Sequence, residues 1–581
     1  MNRTMVKLLG KYLKGFLKEA TIGPAFKLTE AVFELIVPLV MAQIIDVGVA
    51  NGDTGYVLRM GGMMILLGVV GLCCALVCQY FASKASQGVG TVMRNDLFRH
   101  ISALSHAEID RIGTPSLINR ITNDVNQLQT AVAMLIRLVI RAPFLVIGAT
   151  VMAISIDWKM SGIFLAAMVL IALALYLIMS RSIPFFKVVQ RLLDKISLIT
   201  RENLEGVRVI RAFSRQETEK KRFSEACDTQ SNTAIRVGKL SALLNPLTYI
   251  IVNLAIVAII WFGGYQVDGG ALTQGKLIAL VNYMTQIMLA MVVVANLVVI
   301  FTRAAASAAR VNEIFAVQPS VVPGKTEVHP VSGAPRVEWK DVSFTYAGSE
   351  ESALEHVTLS VSPGETVGVI GGTGAGKSTL VSLIPRFYDV STGALLVDGV
   401  DVREYPFAQL RTQIGVVPQQ AVLFSGTIRE NMKWGDKNAS DEQIWHALEI
   451  AQAGEFVKKL PEGLDSKILQ GGKNLSGGQK QRLTIARALV GSPKILILDD
   501  SASALDFATD AALRRALRRQ TQDMTVFMVS QRANTVKNAD KIVVLDDGEV
   551  AGIGTHEALF ESCEVYREIC LSQLSAEEAS R

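Results

Sequence analysis

Three stretches in the C-terminal half carry side chains suited to handling phosphate. The first is GGTGAGKS, residues 371–378, which satisfies the pattern GxxxxGK[ST] between the β-rich TVGVI and the helical STLVSLI. Its glycines let backbone N–H groups turn inward around phosphate oxygens, and the following helix adds the positive end of its dipole. Gly371, Gly372, Thr373, Gly374, Ala375, Gly376 and Thr379 make up the expected cradle. Lys377 reaches the terminal phosphates, and Ser378 offers a hydroxyl to Mg²⁺. The second stretch, KILILDDSASALD at 494–506, is an apolar strand ending in carboxylate, and Asp499 is the expected second support for Mg²⁺. The third, LSGGQKQR at 475–482, reads as a helix start. Taken alone it is a weak anion signal, but an outward-facing helix N-terminus could close over nucleotide held by another copy of the domain.

Such groups need buried strands that end in loops and helices that begin there, which means an α/β domain. The chain has 581 residues, enough for several domains. It is 50% hydrophobic and 19% charged, against an ordinary charged share of roughly 25%, and its mean hydropathy is +0.34. The apolar excess lies in the first half. A polar linker marked by Pro and Gly, QPSVVPGKTEVHPVSGAP at 318–335, separates the halves. The expected divisions are an amphipathic N-terminal helix over 1–20, a membrane domain over 21–317, the linker, and a nucleotide domain over 336–575. A net charge of +5 is small for this length, and its clustering in loops argues against nucleic acid and for membrane orientation. The six cysteines show no CxxC spacing and read as reduced structural thiols. The N-terminus lacks the apolar core and cleavage site of a signal peptide.

A bilayer crossing takes about 20 mostly apolar residues. Six stretches qualify: 24–48, 57–81, 133–156, 160–180, 243–265 and 277–301. The third is the least clean, because Arg137 and Arg141 sit in its first half, just ahead of Pro143. The connections 82–132 and 181–242 are long and basic, so the positive-inside tendency makes them and both termini cytoplasmic. Both are expected to continue the spans as helices, with turns at GTPSLINR (113–120) and RAFSRQ (211–216) as docking points for a cytoplasmic domain. Glu30 and Glu34, one helical turn apart, read as snorkelling or paired with Lys27 near the cytoplasmic end, or as facing a substrate. Met63, Met64, Met284, Met288 and Met291 read as packing or lipid-facing residues, or as the lining of an adaptable cavity.

GGTGAGKST, GVVPQQ, LSGGQKQR, ILILDD and SALD, in this order and behind six spans, resemble an ATP-binding cassette (ABC) exporter half-transporter. The resemblance implies a membrane α-helical bundle followed by an α/β P-loop NTPase domain. It also implies two such chains, with two ATPs sandwiched head-to-tail, each between one chain's P-loop and the other's LSGGQ. Carried over by position, Tyr346 would stack on adenine and Gln419 would touch Mg²⁺. Ser476, Gly477, Gly478 and Gln479 would meet the γ-phosphate held by the partner, and Asp506 would link the two sites. A compact half-transporter of this kind fits a bacterial inner or plasma membrane. The substrate is open among small molecules, lipids and peptides.

Two positions depart from the family pattern. Glu usually follows the Mg²⁺-supporting Asp as general base, and here Asp500 stands there. A His usually follows the next strand, and here the residue is Gln531. Asp is one methylene shorter, and a displacement of ~1 Å can cost on the order of 10²-fold. Gln donates a hydrogen bond but shuttles no proton. The expectation is a slow site on this chain, in a heterodimer whose partner supplies Glu and His. The alternatives are a homodimer running on Asp500 and an ATP-gated channel or sensor on the same frame.

Overall fold

The computed structural model describes residues 3–520 and 523–574. Contacts divide the chain into two compact units, one of residues 1–101 and 115–316, the other of residues 102–114 and 317–581.

The first unit is helical throughout. Among the described residues, six helices are long and apolar enough to cross a membrane: Arg3–Val49, Thr54–Ser102, Thr114–Ile156, Ser161–Glu205, Gln216–Asp268 and Gln274–Ala316. Each covers one of the expected spans, the fourth all but Met160, and extends well past it at one end or both. The first begins as a separate amphipathic helix, Arg3–Leu13, whose Met5, Leu8, Leu9 and Tyr12 are buried, and it packs against the helix Gln274–Ala316. Lys27 pairs with Glu30 at 2.6 Å, whereas Glu34 pairs across helices with Arg141 at 2.7 Å. Met284 and Met288 are core residues, and Met63 is exposed.

Backbone irregularities in this unit have local causes. Pro38 lies inside the helix Leu17–Gln43 and has no N–H to give the carbonyl four residues back. The Gln286 amide donates to that freed Glu34 carbonyl at 3.1 Å, and the Tyr283 hydroxyl donates to the neighbouring Leu35 carbonyl at 2.6 Å. Such rescue by a neighbouring helix is what makes Pro tolerable at membrane depth. A π-helical turn at Leu135–Val139 carries Arg137 and leads into the helix Arg141–Ile156, which contains Pro143.

The second unit is α/β. One antiparallel sheet has the order β2-β1-β4-β5, formed by β1 (Val337–Phe344), β2 (Leu354–Val361), β4 (Thr392–Val397) and β5 (Val400–Asp401). The main sheet has the order β12-β11-β3-β10-β9-β6. Its strands are β3 (Thr366–Gly371), β6 (Ile414–Val417), β9 (Ile495–Asp499), β10 (Thr525–Val529), β11 (Lys541–Asp546) and β12 (Glu549–Gly554). Within it β3, β6, β9, β10 and β11 pair in parallel and only β12 is antiparallel. Parallel strands covered on both faces read as continuous apolar runs, which is why TVGVI, ILILD and TVFMV are almost wholly buried. The short pair β7 (Gly426–Thr427) and β8 (Lys467–Ile468) belongs to a helical layer beside the main sheet.

Candidate functional site: a phosphate cradle beside two acids

The carboxyl ends of parallel strands are where an open α/β sheet binds ligands. Three such ends meet here. β3 runs into the cradle, and the helix Lys377–Ser382 starts directly after Gly376. Gly376 has φ +88°, and a Cβ there would stand 2.5 Å from the Ala353 carbonyl oxygen, so only glycine fits. β9 delivers Asp499 and Asp500, and β10 delivers Val529 ahead of Gln531.

These groups surround a cavity of about 280 Å³. Of the residues singled out from sequence, Tyr346, Thr373, Gly374, Gly376, Lys377, Ser378 and Thr379 line it, together with Gln419, Asp499, Asp500 and Gln531. Gly371, Gly372 and Ala375 build the loop behind it, and Lys377 Nζ donates to the carbonyls of Gly371 and Gly372. Burial pushes the Lys377 ammonium below its ordinary value, opposed by Asp500 and Asp499. Ser378 Oγ donates to Asp499 Oδ1 at 2.8 Å. Burial raises the Asp499 carboxyl, the Ser378 hydrogen bond opposes it, and the Asp500 charge adds to the rise. The Gln419 amide faces Asp500 Oδ2 at 3.4 Å.

Asp500 carries an unforeseen feature: its φ is +42°, in the left-handed region. Asp and Asn enter that region several-fold more readily than other side chains. The turn is held by the Asp500 N–H, which donates to the Val529 carbonyl at 3.0 Å, and by Ser503 Oγ, which donates to the Asp500 carbonyl at 2.7 Å.

The remaining candidates lie away from this cavity. Ser476 caps the helix Gly477–Val490: its hydroxyl accepts from the Gln479 N–H at 3.3 Å, and Gln479 Oε1 accepts from the Ser476 N–H at 2.9 Å. This reciprocal box leaves the exposed Gly477 and the half-buried Gly478 at a helix start, where N–H groups lack intrahelical acceptors. Asp506 caps the next helix, Phe507–Gln520, accepting from the Thr509 N–H and hydroxyl, both at 2.8 Å. Those bonds hold its carboxyl below the ordinary range.

Sequence reasoning missed Tyr388, Asp110, Gln573 and the wall residues Ala353 and Val529. The Tyr346 ring meets Tyr388 edge-on at 5.4 Å and Phe344 at 4.8 Å, and the Tyr346 hydroxyl lies 3.0 Å from Thr379 Oγ1. Tyr388 in turn donates to Asp110 Oδ2 at 2.8 Å, and its neighbour Phe387 meets the His106 ring in a tilted contact at 4.5 Å. Both His106 and Asp110 belong to the short helix His106–Ile112 at the tip of the first long connection, which groups with the nucleotide domain. The docked tip is thus 102–114, beginning ahead of the GTPSLINR turn (113–120) expected to dock. The turn carrying Gln531 is fastened by Gln573: its Nε2 donates to the Gln531 carbonyl at 2.8 Å, and its Oε1 accepts from the Ala533 N–H at 2.9 Å. No local pattern in RFYDV or in the last helix signals either contact.

Comparison with known proteins gives the family. Residues 21–291 match the ABC transporter transmembrane region, and residues 354–503 match the ABC transporter domain. An uncharacterised ABC transporter ATP-binding protein of Mycobacterium tuberculosis is 38% identical over 98% of this chain and 98% of its own length. An ATP-dependent lipid A-core flippase of Vibrio vulnificus is 30% identical over 97% and 96%. The structure of a bacterial Atm1-family ABC exporter with ATP bound shares the fold, with a TM-score of 0.78 over 98% of this chain and 99% of that one at 24% identity. This chain is an ABC transporter of the exporter type, an integral membrane protein with its ATPase domain fused behind six membrane helices.

Proposed function

We propose that the chain is one subunit of an ATP-driven exporter that works by alternating access, paired with a second half-transporter whose ATP site does most of the hydrolysis. One observation carries this reading: Asp500 and Gln531 line the same cavity as an intact Lys377, Ser378 and Asp499. Groups that bind nucleotide are complete, while the two that would activate water are substituted. Asp500 is one methylene shorter than Glu, and its side chain also faces the Gln419 amide. A reach deficit of ~1 Å at the attacking water is worth on the order of 10²-fold. Gln531 offers a hydrogen bond without a cation, which weakens stabilisation of charge on the transferring phosphoryl group.

Ser378 Oγ and Asp499 Oδ1, 2.8 Å apart, are hard oxygen donors of the kind Mg²⁺ takes, and with Gln419 they would hold it. Bound Mg²⁺ supplies charge neutralisation between phosphate oxygens. Lys377 binds the terminal phosphates, Tyr346 stacks on adenine, and the cradle N–H groups orient the chain of phosphates. Ser476, Gly477, Gly478 and Gln479 complete the partner's site, and Asp506 links the two. Tyr388, touching both Tyr346 and Asp110, ties adenine occupancy to the tip of the membrane arm. The nucleotide domain is cytoplasmic by the charge of the long connections, and the membrane is a bacterial inner membrane. Two relatives of matching length flip a lipid A core, which favours an amphipathic, lipid-like cargo.

The test is ATP turnover by the purified chain alone in lipid, with and without Asp500→Glu plus Gln531→His. The expected result is near-zero turnover that the double change raises by about 10- to 100-fold. Strong turnover by the unmodified chain would instead favour a homodimer that hydrolyses ATP with Asp500. Ligand-gated conductance without ATP-coupled flux would favour a channel.

A further inference from the structure

A second cavity in the nucleotide domain is larger than the phosphate cradle. It is a groove of about 680 Å³ between the C-terminal half of the helix Phe507–Gln520 and the strands β3 and β10. A pocket of this volume lies within the range of small-molecule sites. Along β3 it begins at Thr366, whereas the cradle follows Gly371, roughly 16 Å further on at ~3.3 Å per residue; on β10 the adjacent Met528 and Val529 line the groove and the cradle respectively.

Its wall and floor differ sharply in character. Ala511, Arg514, Arg515 and Arg518 occupy one helical face, spaced i, i+3, i+4 and i+7, and all four line the groove. An arginine-bearing face is ordinarily a solvated one. Here it fronts a concavity floored by Met524, Val526 and Met528, apolar residues that are themselves buried. The acids nearby neutralise it only in part. Asp510 takes Arg514 at 3.0 Å, and Asp540, the one acid lining the groove, accepts from the Thr366 N–H at 2.8 Å. Among the described residues, Arg515 and Arg518 have no carboxylate within ion-pair distance. Arg514 donates from one terminal nitrogen to the Asn534 carbonyl at 2.9 Å, yet its Nε is buried with no acceptor. The lining therefore carries three guanidinium groups against one carboxylate, above a floor of polarisable thioethers that adapt to flat or irregular apolar bodies.

We propose that this groove is a binding site for a small organic polyanion, a molecule with two or more sulfonate-, phosphate- or carboxylate-like groups on an apolar body. Arg515 and Arg518 grip the anionic groups from the helix, since guanidinium forks match planar and tetrahedral oxyanions. Met524 and Met528 take the apolar body. The helix that grips the ligand starts at Asp506, so the site sits on the element that carries this loop.

The experiment is calorimetric titration of the full chain in lipid nanodiscs with naphthalene-1,5-disulfonate, with the phosphate cradle kept saturated with ADP. Benzyltrimethylammonium, an apolar ring with the opposite charge, is titrated in parallel. The expected result is saturable binding of the disulfonate at one site per chain and none of the cation. Arg515→Ala plus Arg518→Ala should weaken it by about tenfold or more, as loss of charged hydrogen bonds implies. Both arginines are exposed, so the variant keeps its fold, and unchanged ADP binding checks this. Ala511→Trp, which fills the groove from the helix side, should abolish disulfonate binding while leaving ADP binding intact. No saturable binding, or binding that survives both variants, overturns the proposal.

Discussion

Two faces of the nucleotide domain answer the same ligand in different ways. The face at the end of β3 is complete: glycine at the strained turn, Lys377 buried against its own loop, and Ser378 bonded to Asp499. The face at the ends of β9 and β10 has the same frame but altered side chains, a left-handed Asp500 and a Gln531 held in place through its backbone. Binding and water-activating positions meet at one strand end, because Asp499 and Asp500 both leave β9. A chain can keep the first and relax the second without unfolding. The helix start at Ser476 is a third surface, and its capping box is intact.

The sharpest way to break the contrast is Lys377→Ala. Removing an ammonium whose hydrogen bonds to charged oxygens are worth about 1.5–3 kcal/mol each should lower ADP affinity by roughly 100-fold or more, read by calorimetry. If affinity is unchanged, the complete face is not the binding face. Next comes Asp500→Glu alone. It restores reach but places Glu at φ +42°, a left-handed cost on the order of 1 kcal/mol. Turnover by the single variant should therefore gain less than the double change with Gln531→His, and its melting temperature should fall slightly. Equal gains from the single and double changes would make Gln531 irrelevant to catalysis. The smallest expected effect is Tyr388→Phe, which deletes the hydroxyl bonded to Asp110 and should cost about 0.5–1.5 kcal/mol. Amide exchange in 106–112 should speed up by several-fold while ADP affinity holds within twofold. Slowed or unchanged exchange would cut Tyr388 out of the link between adenine and arm.

The proposed contrast rests on local motifs: GGTGAGKS and ILILDD each mark a strand end within a few residues, and the strands they predict are present. The six spans were equally legible, since apolar length is a property of contiguous sequence. What escaped depends on residues far apart in the chain. The Gln286 amide meets the carbonyl that Pro38 frees, Tyr388 meets Asp110, and Gln573 meets the Gln531 turn. Each contact joins segments with no shared pattern, so only the assembled fold brings them together. The Glu34–Arg141 pair is intermediate in this sense. Both charges were conspicuous in apolar sequence, but Lys27 was the expected partner of both glutamates, and it takes only Glu30.

Gln573 also bears on how the protein can be handled at the bench. Its amide clasps the turn that presents Gln531 to the nucleotide cavity, and it lies in the helix Glu564–Gln573. A purification tag or fluorescent fusion placed hard against that helix would tug on the clasp and be felt at the cavity. Labels for assays of nucleotide exchange belong at the opposite end of the chain, or behind a spacer long enough to leave this helix slack.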